Sequence, residues 1–341
     1  MPVLEMERAW TKRDASYDGV FFFGVRTTGV VCRPSCPSRP KREHLEFFPS
    51  LADALNAGYR ACKRCQPELA NGQPPAWALN LMRRVAAEPE TRLTRADLDA
   101  QGLTPERVRR WFQGHYGMTF AAWCRGQRLS RAFSSLQNGA PLDDVILGHG
   151  FDSHSGFRDA FQRVFGDAPG RSRARECLRV TLLPTPLGPM LAAADEAAIC
   201  FLEFADCRRL EANYALLQKQ FGLPVVPGTN AALSQLTDEL KKYFEGKFRA
   251  FTVPQRLMGT PFQERVWREL RKIPHGKTAS YADIAARVGR PAAVRAVARA
   301  NATNRLCILV PCHRVIASDG TLSGYGGGVW RKRLLLDLER S

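Results

Sequence analysis

Two close pairs of cysteines constrain the fold of this chain more than any other feature of its sequence. Cys32 and Cys36 form one pair and Cys62 and Cys65 the other, with a segment between the pairs that is long enough for a strand and a helix. Four thiolates at this spacing can surround one tetrahedral zinc ion. The simplest interpretation is a structural zinc site that holds together a domain too small to be stable alone. The spacing does not show whether any of these sulfurs is reactive.

The chain is strongly basic, and its charge is unevenly distributed. A net charge of +17 and a pI of about 9.8 favour a polyanionic partner, either nucleic acid or an acidic membrane surface. Residues 256–341 carry 16 Lys and Arg against 6 Asp and Glu, whereas residues 176–255 carry 8 against 9. Because the arginines are spread over several helix-like segments, nucleic acid is the better candidate.

The N-terminal residues show no signal peptide, and no apolar run is long enough to span a bilayer. We therefore expect a cytoplasmic protein. In that reducing compartment the ten cysteines are not expected to form disulfides. Clustered cysteines are instead candidates for metal ligands or nucleophiles.

The sequence pattern divides the chain into four pieces. A stretch rich in proline and glycine, Pro67 to Pro75, ends the first piece, and a helical pattern then runs from Trp77 to about Arg175. The pattern from Leu178 to Phe204 predicts strands joined by a turn. Helices are predicted at Arg208 to Phe221 and at Ala231 to Phe244.

The last piece is basic and mainly helical. Helices are expected after Pro261, followed by a buried, strand-like run from Cys307 to Cys312 and a final helix from Val329 to Glu339.

Two similar units follow one another in the helical second piece. The apolar face formed by Val108 and Phe112 is repeated by Phe157 and Phe161. Two helix-turn-helix units could place their second helices in successive major grooves. An α-helical dimerisation or scaffold domain with exposed arginines is the alternative. The candidate DNA-contacting residues of the two second helices are Arg107, Arg109 and Arg110, and Ser153, His154 and Arg158.

The segment from Asp144 to Gly166 resembles the signature of AraC-type regulators. The resemblance implies sequence-specific binding to promoter DNA. RNA polymerase is then an expected further partner.

The N-terminal cysteine motif also resembles a known family. The stretch Phe23-Gly-Val-Arg-Thr-Thr-Gly-Val-Val-Cys32-Arg-Pro-Ser-Cys36, together with Ala61-Cys62-Lys-Arg-Cys65-Gln-Pro67, is similar to the N-terminal domain of the Ada family of adaptive-response proteins. The resemblance implies that Cys32 accepts a methyl group from a DNA methylphosphotriester while it remains a zinc ligand with Cys36, Cys62 and Cys65. Arg33 and the basic residues near it are expected to contact DNA.

Methylation of Cys32 would remove one negative charge from a surface that faces DNA. Binding to phosphate depends strongly on charge, so this change could raise the affinity by about tenfold. We therefore expect methylation to activate transcription of the adaptive response.

A second reactive cysteine is indicated by the run Ile308-Leu-Val-Pro-Cys312-His-Arg-Val-Ile316. A buried cysteine is usually inert, but an adjacent histidine can hold a thiolate ready for attack if a carboxylate completes the relay. Pro311-Cys312-His313-Arg314 resembles the active site of O6-alkylguanine-DNA alkyltransferases, and the resemblance extends from Phe262 to Glu339.

This resemblance implies a role for each of several residues. Cys312 accepts the methyl group of O6-methylguanine or O4-methylthymine, His313 deprotonates it through water, and Glu339 orients His313. Asn304 braces the segment, and Tyr281 assists the departure of the guanine.

DNA contacts are implied for Arg295 and Arg314. Arg295 would enter the base stack in place of the guanine, because chemistry on a stacked base requires its extrusion. The transfer leaves a thioether, so each cysteine works once and no S-adenosylmethionine is needed. Cys307 is expected on the opposite face from Cys312, since alternate strand residues point apart. The cysteines predicted to be structural are Cys124, Cys177, Cys200, Cys207 and Cys307.

The sequence thus predicts a multidomain α+β protein. Residues 1–75 would form a zinc-bound methylphosphotriester repair domain, and residues 76–175 an all-α double helix-turn-helix domain. Residues 176–257 would form an α/β ribonuclease-H-like domain, and residues 258–341 an α-helical methyltransferase domain with catalytic and DNA-binding parts. The alternative function is a zinc-containing transcription factor that binds alkylated DNA without methyl transfer.

Overall fold

Two four-stranded sheets, a two-stranded sheet and a series of helices make up the computed structural model. It describes residues 1–67, 75–88, 93–116, 118–165, 168–169, 176–205, 219–322 and 324–340. The strands are β1 (Phe22–Val25), β2 (Val30–Cys32), β3 (Leu45–Phe48), β4 (Arg60–Ala61), β5 (Leu178–Leu183), β6 (Met190–Ala194), β7 (Ile199–Phe204), β8 (Val225–Pro227), β9 (Ala279–Ser280) and β10 (Val315–Ile316).

Helices account for most of the remaining described residues. The α-helices are α1 (Val3–Lys12), α2 (Leu51–Asn56), α3 (Ala76–Ala87), α4 (Arg95–Asp99), α5 (Pro105–Tyr116), α6 (Phe120–Gln137), α7 (Leu142–Gly148), α8 (His154–Phe165), α9 (Ala231–Phe244), α10 (Pro261–Arg271), α11 (Tyr281–Arg287), α12 (Val294–Ala302) and α13 (Val329–Arg340). Within the described ranges, no helix is both long enough and apolar enough to cross a membrane.

The first sheet brings the two cysteine pairs together. Its strand order is β3-β1-β2-β4, and β2 and β4 run parallel, with Val31 opposite Ala61. Cys32 is the last residue of β2, and Cys62 directly follows β4. Parallel pairing therefore places these two cysteines side by side at the same end of the sheet.

The second sheet, with the order β7-β6-β5-β8, is buried on both faces. Successive side chains of a strand point to opposite faces. Leu191 and Ala193 of β6 therefore lie in one hydrophobic cluster, and Met190, Ala192 and Ala194 lie in another. The first cluster continues into the aromatic core of the helical piece, and the second continues into the C-terminal helices. Hydrophobic cores are thus shared across the predicted domain boundaries.

A glycine marks the place where helix α6 crosses strand β8. A Cβ added to Gly126 would lie 2.7 Å from Cδ of Pro227, so only a residue without a side chain fits this crossing. Nearby, Arg179 of β5 donates a hydrogen bond to Oγ of Ser134 on α6, at 3.0 Å. The helical piece therefore packs directly against the sheet.

The N-terminal piece also contacts the C-terminal helix. Ala9, Tyr17 and Phe21 belong to the same hydrophobic cluster as the core around Cys312. Arg333 of α13 forms an ion pair with Glu5 of α1 at 3.0 Å. The N-terminal piece and the C-terminal piece are consequently in direct contact.

Several local predictions are confirmed, and one is wrong. The helix predicted at Ala231 to Phe244 is α9, and the final helix predicted from Val329 to Glu339 is α13, which ends at Arg340. The predicted strand from Cys307 to Cys312 is instead a turn followed by a 3₁₀ helix, because Ile308 has a φ of 72° and reverses the chain. The helix predicted at Arg208 to Phe221 lies outside the described residues except for its last three, and Cys207 also lies outside them.

We predict that Gly126→Ala lowers the free energy of unfolding by about 1–2 kcal/mol, because the new methyl group overpacks the contact with Pro227. A glycine-to-alanine change inside a helix normally stabilises by about 0.5–1 kcal/mol. Gly148→Ala is the matched control, since a Cβ there meets open space. Urea unfolding checks both variants. A Gly126→Ala protein as stable as the control would contradict the close packing of α6 on β8.

Candidate functional site

The first site is a cluster of four cysteines at the end of the first sheet. The ligand sulfurs of Cys32, Cys36, Cys62 and Cys65 all lie within 4.8 Å of one another. Zinc–sulfur bonds of 2.3 Å in a tetrahedron require sulfur separations of roughly 3.8 Å, so the cluster fits zinc with a small contraction. Cys62 is partly exposed, and the other three are buried. The predicted metal ligands therefore converge, and the site is a zinc site.

Polar neighbours hold the loop that carries two of these ligands. Ser38 donates a hydrogen bond to Sγ of Cys36 at 3.2 Å. The buried carboxylate of Asp18 accepts a hydrogen bond from the backbone N–H of Ser35 at 2.9 Å, and it pairs with Nε of Arg33 at 3.3 Å. Arg33 keeps 31% of its side chain exposed, so it remains available at the surface beside the sulfurs.

We predict one zinc ion per chain, lost when a ligand is removed. Cys65→Ser should reduce the bound zinc to near zero, because a thiolate is replaced by a weak neutral ligand. Cys124→Ser is the control, as this cysteine lies on α6 outside the cluster. Metal analysis of the purified full-length proteins checks both. Zinc retained at one equivalent by Cys65→Ser would contradict the four-cysteine site.

The second site surrounds Cys312, which begins a short 3₁₀ helix and is 4% exposed. The side-chain amide of Asn304 donates hydrogen bonds to Sγ of Cys312 at 3.1 Å and to the carbonyl of Val310 at 2.9 Å. Its carbonyl oxygen accepts a hydrogen bond from the backbone N–H of Leu306 at 2.9 Å. One asparagine thus holds both ends of the turn and contacts the sulfur.

His313 and Glu339 form the relay expected beside this cysteine. His313 is fully buried, and its Nε2 lies 2.9 Å from Oε1 of Glu339. Burial lowers the pKa of His313 below its usual value, and the hydrogen bond with Glu339 offsets this only in part. A neutral imidazole that donates from Nε2 has a lone pair on Nδ1. That nitrogen is buried and has no hydrogen-bond partner among the described residues.

Glu339 is buried but ionised. Burial alone would raise its pKa, yet hydrogen bonds from His313 and Arg314 outweigh burial and hold the pKa of Glu339 well below its usual value. The carboxylate also accepts hydrogen bonds from Tyr243 at 2.7 Å and from the backbone N–H of Gly276 at 3.3 Å. A negative charge is therefore fixed behind the imidazole.

The predicted DNA contact of Arg314 is wrong. Its side chain is 9% exposed, and Nε donates to Oε2 of Glu339 at 2.7 Å. A second nitrogen donates to the carbonyl of Ile273 at 2.6 Å. The cysteine motif turns inward at this point, so the guanidinium neutralises a buried carboxylate and does not reach a DNA backbone.

The expectation for Cys307 is also corrected. The chain reverses at Ile308, so the strand alternation that would place Cys307 and Cys312 on opposite faces is absent. Cys307 donates to Oε1 of Glu203 on β7, at 3.0 Å. The neighbouring thiol of Cys307 lowers the pKa of Cys312, burial opposes this, and the hydrogen bond from Asn304 adds to the lowering.

Sequence reasoning missed Glu203 and Lys332 near this site. Lys332 is fully buried, donates to the carbonyl of Val315 at 2.6 Å, and has a pKa lowered by burial to about 8. Glu203 lies in an otherwise apolar strand and is 3% exposed. A charged residue in a fully buried strand was the available signal, since such residues are rare without a partner.

Backbone pairing places Tyr281 near the cysteine segment. β9 pairs in parallel with β10, so Ala279 lies opposite Val315. Tyr281 directly follows β9 and is half-buried. Arg295 is exposed in the first turn of α12, which packs against α11 as the second helix of a helix-turn-helix-like pair.

The predicted contact residues of the helical piece lie on exposed faces. Arg107, Arg109 and Arg110 are exposed on α5, and Arg158 is exposed on α8. Both Arg109 and Arg110 form surface ion pairs with Glu106. The opposite faces of α5 and α8 supply the buried phenylalanines, as the repeat predicted.

We predict that Glu339→Gln lowers the free energy of unfolding at pH 7 by about 3–5 kcal/mol, because the charge of Arg314 stays buried without its partner. The folded-state pKa of Glu339 is below its usual value of 4.5. The stability that ionised Glu339 contributes to the folded protein is therefore fully present above its usual pKa, and it is lost as the pH falls through the folded-state pKa. The difference in free energy of unfolding between Glu339→Gln and the unmodified protein should become smaller as the pH falls from 6 to 3. Urea unfolding at each pH measures it.

Glu245→Gln is the control, because Glu245 is paired only with the exposed Lys247. Its unfolding midpoint should match that of the unmodified protein at pH 7. A pH-independent effect of Glu339→Gln would contradict an ionised, buried carboxylate.

Four family models match consecutive parts of the chain. They are the metal binding domain of Ada over residues 5–68, a helix-turn-helix domain over 98–175, and the ribonuclease-like and DNA binding domains of 6-O-methylguanine DNA methyltransferase over 178–257 and 261–341. The second and fourth pieces of the chain therefore both contain DNA-binding modules.

Some relatives match nearly the whole of this chain, and others match about half of it. The bifunctional transcriptional activator/DNA repair enzyme Ada of Escherichia coli (strain K12) is 39% identical over 332 residues, which is 96% of this chain and 93% of that protein. A methylated-DNA–protein-cysteine methyltransferase of Mycobacterium bovis is 43% identical over 159 residues, which cover 47% of this chain and 90% of the relative. The crystal structure of Mycobacterium tuberculosis OGT in complex with DNA matches with a TM-score of 0.41 and 39% identity, covering 48% of this chain and 92% of that one.

The zinc site, the buried cysteine relay and the matches to the family models and to the full-length relative define a DNA repair protein that transfers methyl groups to its own cysteine and also binds DNA through helix-turn-helix units. The chain belongs to the Ada family of bifunctional transcriptional activators and DNA repair enzymes.

Proposed function

We propose that Cys312 removes methyl groups from O6-methylguanine and O4-methylthymine in DNA, and that Cys32 removes them from methylphosphotriesters. The observation that carries this proposal is the pair of sulfur sites, each built to hold an anion. Four cysteines converge at the first site, and at the second site a buried sulfur accepts a hydrogen bond from Asn304 at 3.1 Å. A thiolate is the nucleophilic form of cysteine.

At the second site, Nδ1 of His313 takes the thiol proton of Cys312 through a water molecule. The resulting imidazolium is stabilised by the carboxylate of Glu339, 2.9 Å from Nε2. The thiolate then attacks the methyl carbon, a carbon–sulfur bond forms, and the carbon–oxygen bond to the base breaks. The base leaves as an anion and regains a proton. A thioether remains on Cys312, and none of the neighbouring groups can reverse it.

Two further residues would act on the DNA. Tyr281 is half-buried beside the cysteine segment and would donate a hydrogen bond to the departing guanine. Arg295 is exposed on α12 and would take the place of the extruded base in the base stack of the DNA. Asn304 acts as a positioning residue, because it fixes the turn that presents the sulfur.

At the first site, Cys32, Cys36, Cys62 and Cys65 would hold the zinc ion, which would keep their sulfurs deprotonated at neutral pH. Cys32 takes the methyl carbon of a phosphotriester, whose carbon–oxygen bond breaks to restore a phosphodiester anion. The four-sulfur cluster then carries one negative charge less. Repulsion between this surface and the DNA backbone falls, while the partly exposed Arg33 continues to attract it. Methylation of Cys32 would in this way increase DNA affinity.

Transcription activation would follow from promoter binding by the helix-turn-helix units. The exposed Arg107, Arg110 and Arg158 are the proposed DNA contacts of these units. RNA polymerase is the proposed partner of the DNA-bound protein, and the cytoplasm its proposed location. We retain the division at residues 75, 175 and 257 as the proposed domain boundaries.

Intact-mass measurement tests both acceptors at once. Incubation of the full-length protein with DNA that contains O6-methylguanine and methylphosphotriesters should add two methyl groups. Peptide mapping should find S-methylcysteine at Cys312 and at Cys32. The Cys312→Ala variant should lose only the methyl group that comes from the base.

DNA that contains one lesion type at a time provides the control. O6-methylguanine DNA should methylate only Cys312, and phosphotriester DNA only the zinc-site cysteine. Phosphotriester methylation mapped to Cys62, the more exposed ligand, would overturn the assignment of Cys32. The absence of any mass gain would favour a transcription factor that binds alkylated DNA without transfer.

A further inference from the structure

Helix α13 carries two of the side chains that hold the Cys312 site. Lys332, near the start of the helix, donates a hydrogen bond from Nζ to the carbonyl of Val315 at 2.6 Å. Glu339, near its end, has Oε1 at 2.9 Å from Nε2 of His313. Both contacts reach the short segment that begins with Cys312. The position of the thiol and of its imidazole therefore depends on where α13 lies.

The second sheet holds the start of α13 on one side. Arg331 is fully buried, and its Nε donates a hydrogen bond to the carbonyl of Leu187, in the turn between β5 and β6, at 2.7 Å. The guanidinium also lies over the ring of Phe204 on β7, 4.2 Å from the ring centroid. A buried charged group is stable only with such polar contacts, so a shift of α13 away from the sheet is unfavourable.

The N-terminal piece holds the same end of α13 on another side. Nε1 of Trp330 donates a hydrogen bond to the backbone carbonyl of Ser16 at 2.5 Å, and both residues are buried. Arg333 pairs with Glu5 at 3.0 Å. The backbone before the helix is also close to this piece, because a Cβ added to Gly328 would collide with the hydroxyl of Ser16. The start of α13 is therefore in contact with two other pieces of the chain.

Two residues after Ser16, the same segment holds the loop between the first two zinc-site cysteines. Asp18 is 6% exposed and accepts hydrogen bonds from the backbone N–H of Ser35 at 2.9 Å and from its hydroxyl at 2.5 Å. The carboxylate of Asp18 also pairs with Arg33 of this loop at 3.3 Å. Residues 16–18 therefore contact both the loop of the zinc site and the helix that supports the Cys312 site.

We propose that Trp330 and Asp18 are positioning residues for methyl transfer to Cys312, and that residues 16–18 connect the supports of the two sulfur sites. This inference rests on the proposed function of Cys312. Trp330 holds the start of α13 against the N-terminal piece, and Asp18 fixes the segment that offers the carbonyl of Ser16. Loss of either contact lets α13 shift, and with it the imidazole that takes the proton of Cys312.

Single-turnover methyl transfer from duplex DNA that contains O6-methylguanine tests the proposal with the full-length protein. Trp330→Phe removes the N–H donor but keeps an aromatic ring beside Arg331. Its maximal rate at saturating DNA should fall about tenfold, because the imidazole is less precisely placed. The DNA concentration that gives half the maximal rate should stay unchanged, since no DNA contact is removed. Asp18→Asn should also lower the maximal rate about tenfold.

The double variant distinguishes one shared link from two separate packing effects. If Trp330 and Asp18 act through the same contact with Ser16, the double variant should react no more slowly than the slower single variant. Two independent losses would multiply to about a hundredfold, and that result would overturn the link between the two sites.

Hydrogen exchange gives a second measurement that requires neither DNA nor methyl transfer. The amides of residues 312–316 and 329–340 should exchange about tenfold faster in Trp330→Phe than in the unmodified protein, because α13 and the Cys312 segment lose a common support. Trp123→Phe is the matched control, since it also truncates a buried tryptophan but lies in a different hydrophobic cluster. Its maximal rate and its exchange should equal those of the unmodified protein.

An unchanged maximal rate or unchanged exchange in Trp330→Phe would overturn the proposal and leave Trp330 as packing. Failure of the unmodified protein to accept methyl groups from O6-methylguanine is a different result. Together with faster exchange in Trp330→Phe, it would count against the proposed function of Cys312 and not against the support of its segment by the N-terminal piece.

Discussion

The buried carboxylate of Glu339 is the interaction on which the C-terminal site depends. It accepts hydrogen bonds from Tyr243, Gly276, His313 and Arg314, and these residues belong to three separate segments. A buried charge is tolerated only when it is paired and hydrogen-bonded. The same contacts that satisfy Glu339 therefore fix the imidazole beside Cys312. Gly276 has a φ of 73°, and a Cβ there would lie 2.7 Å from the carbonyl oxygen of Glu339, so the approach requires glycine.

The second sheet connects the two chemistries of the protein. One of its faces carries the aromatic core of the helix-turn-helix piece, and the other carries the core around Cys312. Contacts between α1 and α13 join the N-terminal piece, which carries the four zinc-site cysteines, to the C-terminal piece. DNA-reading helices and both sulfur sites are therefore parts of one packed molecule, which suits a family in which repair and transcription activation are combined.

Much of the candidate site was predictable because its residues stand in short, contiguous motifs. The zinc ligands follow from spacing, and the motif Pro311 to Arg314 indicates its own chemistry through the adjacent thiol and imidazole. The wrong predictions concern the direction in which a side chain of a motif points. The resemblance of its motif implied a DNA contact for Arg314, but the 3₁₀ turn carries it inward to Glu339. Cys307 was placed opposite Cys312 on the assumption of a strand, and the turn at Ile308 removes that alternation.

The sequence by itself determined the class of protein, the order of its pieces and the sulfur atoms that carry the chemistry, since these depend on residue type and local spacing. Tertiary structure alone decided which groups surround those sulfurs. Glu203 and Cys307 are separated by about a hundred residues, and nothing local in either segment indicates that they meet at 3.0 Å. The physical reason is that the ionisation of a buried thiol depends on every charge and hydrogen bond that packing brings to it.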